Sequence, residues 1–508
     1  MLDSDGLQCK DHKEGILESM CLRLIILFAF VGTPAFAQIQ QAWVAKYNNG
    51  IANGNHQALK MALDSSGNIY VLGVSANANT NTGYVVVKYT PSGSQLWAAR
   101  YDSTNFPTAS PTGFALDSGN NVLVTGSAVT VKYDANGNLL WTEPYSGQAI
   151  VADPGQNIYI TGASNNFTTI KLNPTGSNLW SQTRTYQGLP NLSQAMAVDS
   201  SSNVYVAGME GVTVPRFNVQ TDMWMIKYDM NGQQLWEVDS PGPEEYDVQV
   251  VGVLLGSFNN VYIEANYIGA PSLPYVTYVY NSNGVGGAIA DNPTGSIASV
   301  ACGIALDSQG NLLLTGGFAY TYPDQYSYAT YKLDTNGGYV WTNFYPTTPV
   351  GNGTATSIAV DQGDNAYVTG FSTNATTGND IVTIKYDSNG NQLWVRRYDG
   401  PGHGNDAGNA IEVDNAGSVY VAGYETETNG YTEMVLIKYS PVTIQRRSDG
   451  TILLQAQGLS GESFDVQAST NLQTWQDLGN VTADTNGVAQ YDDTNAPAFD
   501  RRFYLIRE

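Results

Sequence analysis

Two short segments return along most of this chain, and that repetition limits the folds open to it more than any other feature. The first reads ALDSSGNIYVLG from Ala62 to Gly73. It returns as ALDSGNNVLVTG, VADPGQNIYITG, AVDSSSNVYVAG, ALDSQGNLLLTG, AVDQGDNAYVTG and EVDNAGSVYVAG, with a divergent eighth copy, LLGSFNNVYIEA, at Leu254 to Ala265. The second reads VKYDANGNLLW from Val131 to Trp141 and returns as IKYDMNGQQLW, IKYDSNGNQLW, YKLDTNGGYVW, IKLNPTGSNLW and VKYTPSGSQLW. Alternating apolar residues flank Asp-x-x-Gly or Asp-x-Asn-Gly, so each segment reads as a hairpin whose turn takes positive φ at Gly or Asn. Each repeat thus supplies strands a and b round the first turn and strands c and d round the second.

The repeats recur at intervals of 36 to 57 residues, the span of one four-stranded blade, and predict an all-β fold, an eight-bladed β-propeller. The 53 glycines, 33 tyrosines and 13% charged residues suit such a turn-rich chain. The last repeat stops at VLIKYSP (Val435 to Pro441) without a strand d. QAWVAKYNNG (Gln41 to Gly50) shares the Trp-x-x-basic-Tyr pattern of QLWVRRYDG (Gln392 to Gly400), so the N-terminal strand is expected to close the ring against C-terminal strands and leave no open edge. Beyond Pro441 a separate alternating pattern, from VTIQRRSDG to RRFYLIRE, predicts a small β-sandwich. The expected domains are 1–37 as leader and signal peptide, 38–441 as propeller and 442–508 as sandwich.

Seven of the nine tryptophans hold one repeat position: Trp43, Trp97, Trp141, Trp180, Trp236, Trp341 and Trp394. A large aromatic at the start of each outer strand is expected to dock on the neighbouring blade. A lysine recurs in strand c (Lys88, Lys132, Lys171, Lys227, Lys332, Lys385, Lys438) and an aspartate at the first turn (Asp64, Asp117, Asp153, Asp199, Asp307, Asp361, Asp414). The fifth repeat loses all three together, with Gly256, Val279 and Ala288 in their places. That joint loss predicts a lysine–aspartate contact within salt-bridge distance, the alternative being solvated surface charges.

Arg23, an apolar run from Leu24 to Val31, and Ala35-Phe36-Ala37 compose a cleavable export signal, with Met20 the natural start. The run is too short to span a membrane, and no other stretch is longer, so a soluble, exported monomer is expected. Cys9 and Cys21 precede the cleavage point, leaving Cys302 on a predicted inner strand as a small buried thiol. A net charge of −23 opposes nucleic acid, whose phosphates need a basic face.

On these segments the chain resembles the bacterial β-propeller repeat called SBBP, over roughly residues 38–441. That resemblance implies a fold and export, without a shared activity. The YDxNGxxLW unit is also similar to the tryptophan-docking repeat of pyrroloquinoline-quinone propellers, in packing. VQASTNLQTW, within the last domain, resembles tail modules at the ends of exported proteins of Gram-negative bacteria, and Trp475 and Phe503 there read as core rather than a sugar platform.

No G-x-S-x-G, H-E-x-x-H, P-loop or paired-cysteine metal signature occurs. The quinoprotein reading fails for want of an adjacent cysteine pair and a unique base, and no cofactor is expected. His56 and His403 read as loop residues rather than metal ligands, and the Asp/Asn turns as turn geometry rather than calcium loops. Function is expected on the face formed by the variable b–c and d–a loops. The leading reading is a non-enzymatic binding or scaffold protein for a polysaccharide or extracellular protein, and the alternative a hydrolase or lyase acting on glycans. Tyr320, Tyr322, Tyr326 and Asp324 of FAYTYPDQYSYAT, with Tyr267 and Tyr275 of NYIGAPSLPY, form the candidate ligand platform. Against it stands the reading that alternate tyrosines pack between blades.

Overall fold

The computed structural model describes residues 27–29 and 39–507 except 80, 104, 163–165, 186–190, 213–219, 241–246, 269–274, 292–297, 320–325, 346–351, 375, 458–460, 462, 472, 485–487 and 500. The repeats fold as eight four-stranded antiparallel sheets. Blade one runs His56–Leu63, Ile69–Ala76, Thr82–Tyr89 and Gln95–Tyr101. Successive strands a touch all round the ring, blade eight against blade one included. Bulge residues in these strands reach across the joints: the Val250 amide donates to Gln194 Oε1 at 2.8 Å, and Asn409 Nδ2 donates to the Ala58 carbonyl at 2.7 Å.

Blade eight takes strands Ala407–Val413, Val419–Thr426 and Thr432–Pro441 from the end of the repeats and Ile39–Tyr47 from the other end of the chain. Ile39 lies opposite Pro441 and Tyr47 opposite Met434, in an antiparallel ladder that supplies the missing strand d.

The repeated tryptophan and lysine make one joint. In blade one, Trp97 Nε1 and Lys88 Nζ both donate to the Ala135 carbonyl in the c–d turn of blade two, at 3.1 and 3.2 Å. The same pair of donors meets one carbonyl at Pro174 (Trp141, Lys132), Met230 (Trp180, Lys171), Ser282 (Trp236, Lys227), Ser388 (Trp341, Lys332) and Pro91 (Trp43, Lys438). The Asx geometry of the turn presents that carbonyl: Asp134 Oδ1 accepts from the amides of Asn136 and Asn138 at 2.9 Å.

The joint also explains a difference between the two kinds of turn. Positive φ in the a–b turns falls on Asn120, Gln156, Ser202 and Asp364 as well as on glycine, whereas the c–d turns use glycine throughout, from Gly93 to Gly390. A Cβ on Gly137 would lie 2.7 Å from the Trp97 ring, and one on Gly232 2.8 Å from Trp180, while the nearest atom to such a Cβ on Gly67 of an a–b turn is 3.4 Å away. At the joints that carry a tryptophan, indole contact, added to the φ requirement, excludes any side chain from the c–d glycine.

Five of the seven expected lysine–aspartate pairs lie within salt-bridge distance, Lys227–Asp199 and Lys438–Asp414 being the exceptions. Lys132–Asp117 and Lys332–Asp307 close to 2.9 Å, while Lys88–Asp64, Lys171–Asp153 and Lys385–Asp361 stand at 3.7 to 3.8 Å. The difference follows a neighbouring residue. In the looser blades a tyrosine two residues into strand b donates to the same carboxylate, as Tyr70 does to Asp64 at 3.3 Å and Tyr367 to Asp361 at 2.8 Å. Its ring lies under the ammonium, 4.5 Å away for Lys88 on Tyr70. The two tight blades carry Leu123 and Leu313 there, so no tyrosine hydroxyl competes with the lysine, and the turn's own amides and Asn121 or Asn311 are the carboxylate's other donors.

Two joints lack the full clamp. Between blades five and six, Tyr262 donates to the Gly310 carbonyl at 3.2 Å and Asn266 exchanges two bonds with the Ala301 backbone. Between seven and eight the chain ends leave no c–d turn, so Trp394 packs on Tyr439 with centroids 6.3 Å apart and Arg396 donates to the Ile39 carbonyl.

After Pro441 come two small sheets. Thr443–Arg446, Ile452–Gln457 and Val488–Asp493 form one, and Ser463–Ser469, Gln476–Thr482 and Arg502–Arg507 the other, around a shared core that includes Leu454, Phe464, Val466 and Tyr504. Leu27–Ala29, inside the expected leader, pairs with Arg502–Tyr504 at the edge of the second.

Two outcomes test this account. Deleting residues 38–49 should open blade eight and yield aggregates by size-exclusion chromatography; a monomer with unchanged Tm would refute closure by the N-terminal strand. Lys132→Met leaves buried Asp117 without its close counter-charge and should cost about 3–5 kcal/mol in urea denaturation, clearly more than Lys88→Met, where the ion pair is looser and the Tyr70 hydroxyl also donates to Asp64.

Candidate functional site

The first strands line the ring's centre. Among the described residues, the carboxylates on these strands are Asp247 in blade five and Glu412 in blade eight. Burial pushes Glu412 up to about 7. These blades are not neighbours, so strands a bring no acid pair together for glycosidic chemistry. Cys302 lies on a strand a as expected, half-buried at a bulge, its thiol pushed up to about 11 by burial.

Tyr320, Tyr322 and Asp324 lie outside the described residues. Tyr326 opens strand c of blade six, half-buried, its amide donating to Asn352 Oδ1 at 3.1 Å. Tyr267 and Tyr275 correct the expectation of an exposed platform, since only 8% and 3% of them is exposed. Tyr267 shares a 2.7 Å hydroxyl contact with Tyr278, and the Tyr275 ring packs 6.0 Å from Tyr331 of the next blade. These two follow the interblade packing alternative. His56 spends Nδ1 on Ser75 Oγ at 2.8 Å and Nε2 on the Ile51 carbonyl at 3.0 Å, and burial lowers its pKa. His403 is exposed, with φ of 48° and Nδ1 2.7 Å from Asp399.

On the same loop face, at the seam of blades eight and one, stands a group that sequence reasoning missed. Glu425 is the penultimate residue of strand b and lies directly opposite Glu433 of strand c. With Glu427 they place one carboxylate oxygen each within 4.8 Å of one another. Like charges so opposed repel, and the counter-charge arrives from the other end of the chain. Lys46 of the N-terminal strand contacts Glu425 and stands 3.1 Å from Glu427, while the Tyr398 hydroxyl donates to Glu425. The loop from Asp399 to Asp406 folds over them, with buried Asp406 accepting from the Thr426 amide at 2.7 Å. The signal in the sequence was ETETNGYTE read in hairpin register, together with the basic residue of Trp-x-x-basic-Tyr.

Beside this group opens a cleft of about 140 Å³ lined by Asn48, Ile51, His56, Glu427, Asn429, Tyr431 and Glu433, among others. Tyr431 is exposed at its edge. The cleft offers an aromatic face, two carboxylate acceptors and two amides.

A family profile described as outer membrane protein assembly factor BamB matches residues 81–267. An uncharacterized WD repeat-containing protein, L264, of Acanthamoeba polyphaga mimivirus is 24% identical, over 88% of this chain and 34% of that protein. The chain is a β-propeller repeat protein. It spans about a third of the length of that relative. Among solved structures it is similar to a virginiamycin B lyase of Staphylococcus aureus (11% identity, TM-score 0.39, 79% of this chain and 99% of that one). It is also similar to the polysaccharide lyase Uly1 (9% identity, TM-score 0.40, 81% and 94%). Nothing about activity transfers at such similarity. Among the described residues, no helix is long and apolar enough to cross a membrane.

Burial and then Glu427 push Glu433 up from its ordinary 4.5 to about 7. The folded chain therefore holds a proton in that window which the unfolded chain gives up. This stabilisation is full below 4.5 and is lost as pH rises through 7. Wild-type Tm should accordingly fall between about pH 5 and about pH 8 by more than that of Glu433→Gln; equal slopes would show the group makes no such contribution.

Proposed function

We propose that this protein is an exported, non-enzymatic binding or scaffold protein of the SBBP type, recognising a polysaccharide or an extracellular protein through the b–c and d–a loop face. The C-terminal sheets act as a β-sandwich tail module of the exported kind. The observation that carries the reading is the seam cleft, where Tyr431, Asn48 and Asn429 stand beside Glu427 and Glu433. Flat apolar faces next to hydrogen-bonding groups suit sugar rings and exposed peptide alike. Tyr326, at the start of strand c of blade six, is kept as part of a second candidate platform with Tyr320, Tyr322 and Asp324, which lie outside the described residues.

Glycan and protein arrays probed with the full chain test this. A ligand bound by wild type and weakened about tenfold or more by Tyr431→Ala with Glu433→Gln supports the seam as the site. A ligand unaffected by that double variant but lost with Tyr322→Ala and Tyr326→Ala moves the site to blade six. Turnover of any bound glycan would replace the binding reading with an enzymatic one.

A further inference from the structure

The C-terminal sheets hold a second cleft, of about 210 Å³, lined by Ala468, Ser469, Thr470, Thr474, Trp475, Gln476, Phe499 and Arg502. Two aromatic rings form part of its wall. Trp475 is half-buried and Phe499 is 40% exposed, which departs from the expectation that Trp475 belongs to the core; Phe503 does, at 6%. The turn that carries Trp475 is fixed locally. Asn471 Oδ1 accepts from the amides of Gln473 and Thr474 at 2.9 Å and from the Thr474 hydroxyl at 3.1 Å. Such a turn holds the indole in place before any ligand arrives.

Arg502 supplies the observation that points to a ligand. It is only 6% exposed, and its Nη1 is shielded from water without a hydrogen-bond partner. Nε is paired with Asp493 at 3.0 Å, and Asp493 also accepts from the Tyr504 hydroxyl at 2.9 Å. The guanidinium carbon lies 4.3 Å over the Phe499 ring. A buried guanidinium N–H left unsatisfied is costly, and since Arg502 lines the cleft, an acceptor oxygen that enters there and reaches the guanidinium would relieve that cost.

We infer that this cleft binds one ring of a neutral glycan, stacked on Trp475 and Phe499, with a sugar oxygen accepting from Arg502 and the hydroxyls of Ser469, Thr470 and Thr474 and the Gln476 amide along its rim. Neutrality follows from charge. Asp493 already balances Arg502, and a chain of net charge −23 repels a polyanion. The volume is below the roughly 300 Å³ at which pockets for drug-sized ligands begin, which suits a single ring.

Affinity electrophoresis of the full chain through gels containing neutral β-glucan, mannan or xylan, with alginate and polygalacturonate alongside, tests this. At least one neutral polysaccharide should retard wild type. Trp475→Ala and Phe499→Ala, both at partly exposed positions and so compatible with folding, should each weaken that retardation by about tenfold. Tyr431→Ala, at the propeller seam, should leave it unchanged. Retardation by the acidic polymers alone, by none, or equally in wild type and both aromatic variants would overturn the inference. Loss with Tyr431→Ala alone would assign the glycan to the propeller face instead.

Discussion

One backbone carbonyl at each of six joints carries the architecture. It sits in the c–d turn of a blade and accepts from both the tryptophan indole and the lysine ammonium of the blade before it, as Ala135 does from Trp97 and Lys88. A carbonyl has two lone pairs, so both are used and neither donor is left unpaired in a buried joint. The indole then covers the turn glycine, and the lysine turns back to the aspartate of its own first turn. Tryptophan, lysine, aspartate and glycine thus belong to one network, although they lie in different strands and different blades. The fifth repeat shows this from the other side: Gly256, Val279 and Ala288 replace three members at once, and the backbone of Ile289 lies against Gly337 where an indole would otherwise rest.

The closing seam uses other means, because a ring built from both chain ends cannot repeat the turn there. Blade eight has no c–d hairpin to offer Trp394. Its N-terminal strand is held instead by its ladder to Thr432–Pro441, by Arg396 on the Ile39 carbonyl, and by Lys46 among Glu425 and Glu427. Closure and the candidate binding face therefore share residues. The carboxylates that Lys46 neutralises also border the cleft carrying Tyr431.

Much of this was legible from repetition. The tryptophan joint and the lysine–aspartate contact each appear many times, so a single pattern reports on all copies, and counting the copies gives the blade number and the strand borrowed at the ends. What was misread occurs once. Tyr275 lies four residues before Val279, the lysine-equivalent position, and period-two alternation puts both on the face turned to the next blade. Loop-like composition around it suggested exposure all the same. The glutamates of ETETNGYTE gained meaning only when hairpin register set Glu425 opposite Glu433. In the C-terminal sheets, sequence could not separate Phe503, which enters the core, from Phe499, which stays open beside Trp475, because a short irregular segment breaks the alternation before the last strand.

If the shared carbonyl is what holds neighbouring blades together, the joint that lacks both donors should open first. Hydrogen–deuterium exchange of the intact chain, resolved by blade, measures this directly. The account predicts lower protection in Tyr275–Tyr280 and Gly286–Asp291 of blade five than in the equivalent strands of the six clamped blades. Equal protection there, or earlier opening at a joint where tryptophan and lysine meet their carbonyl, would contradict it.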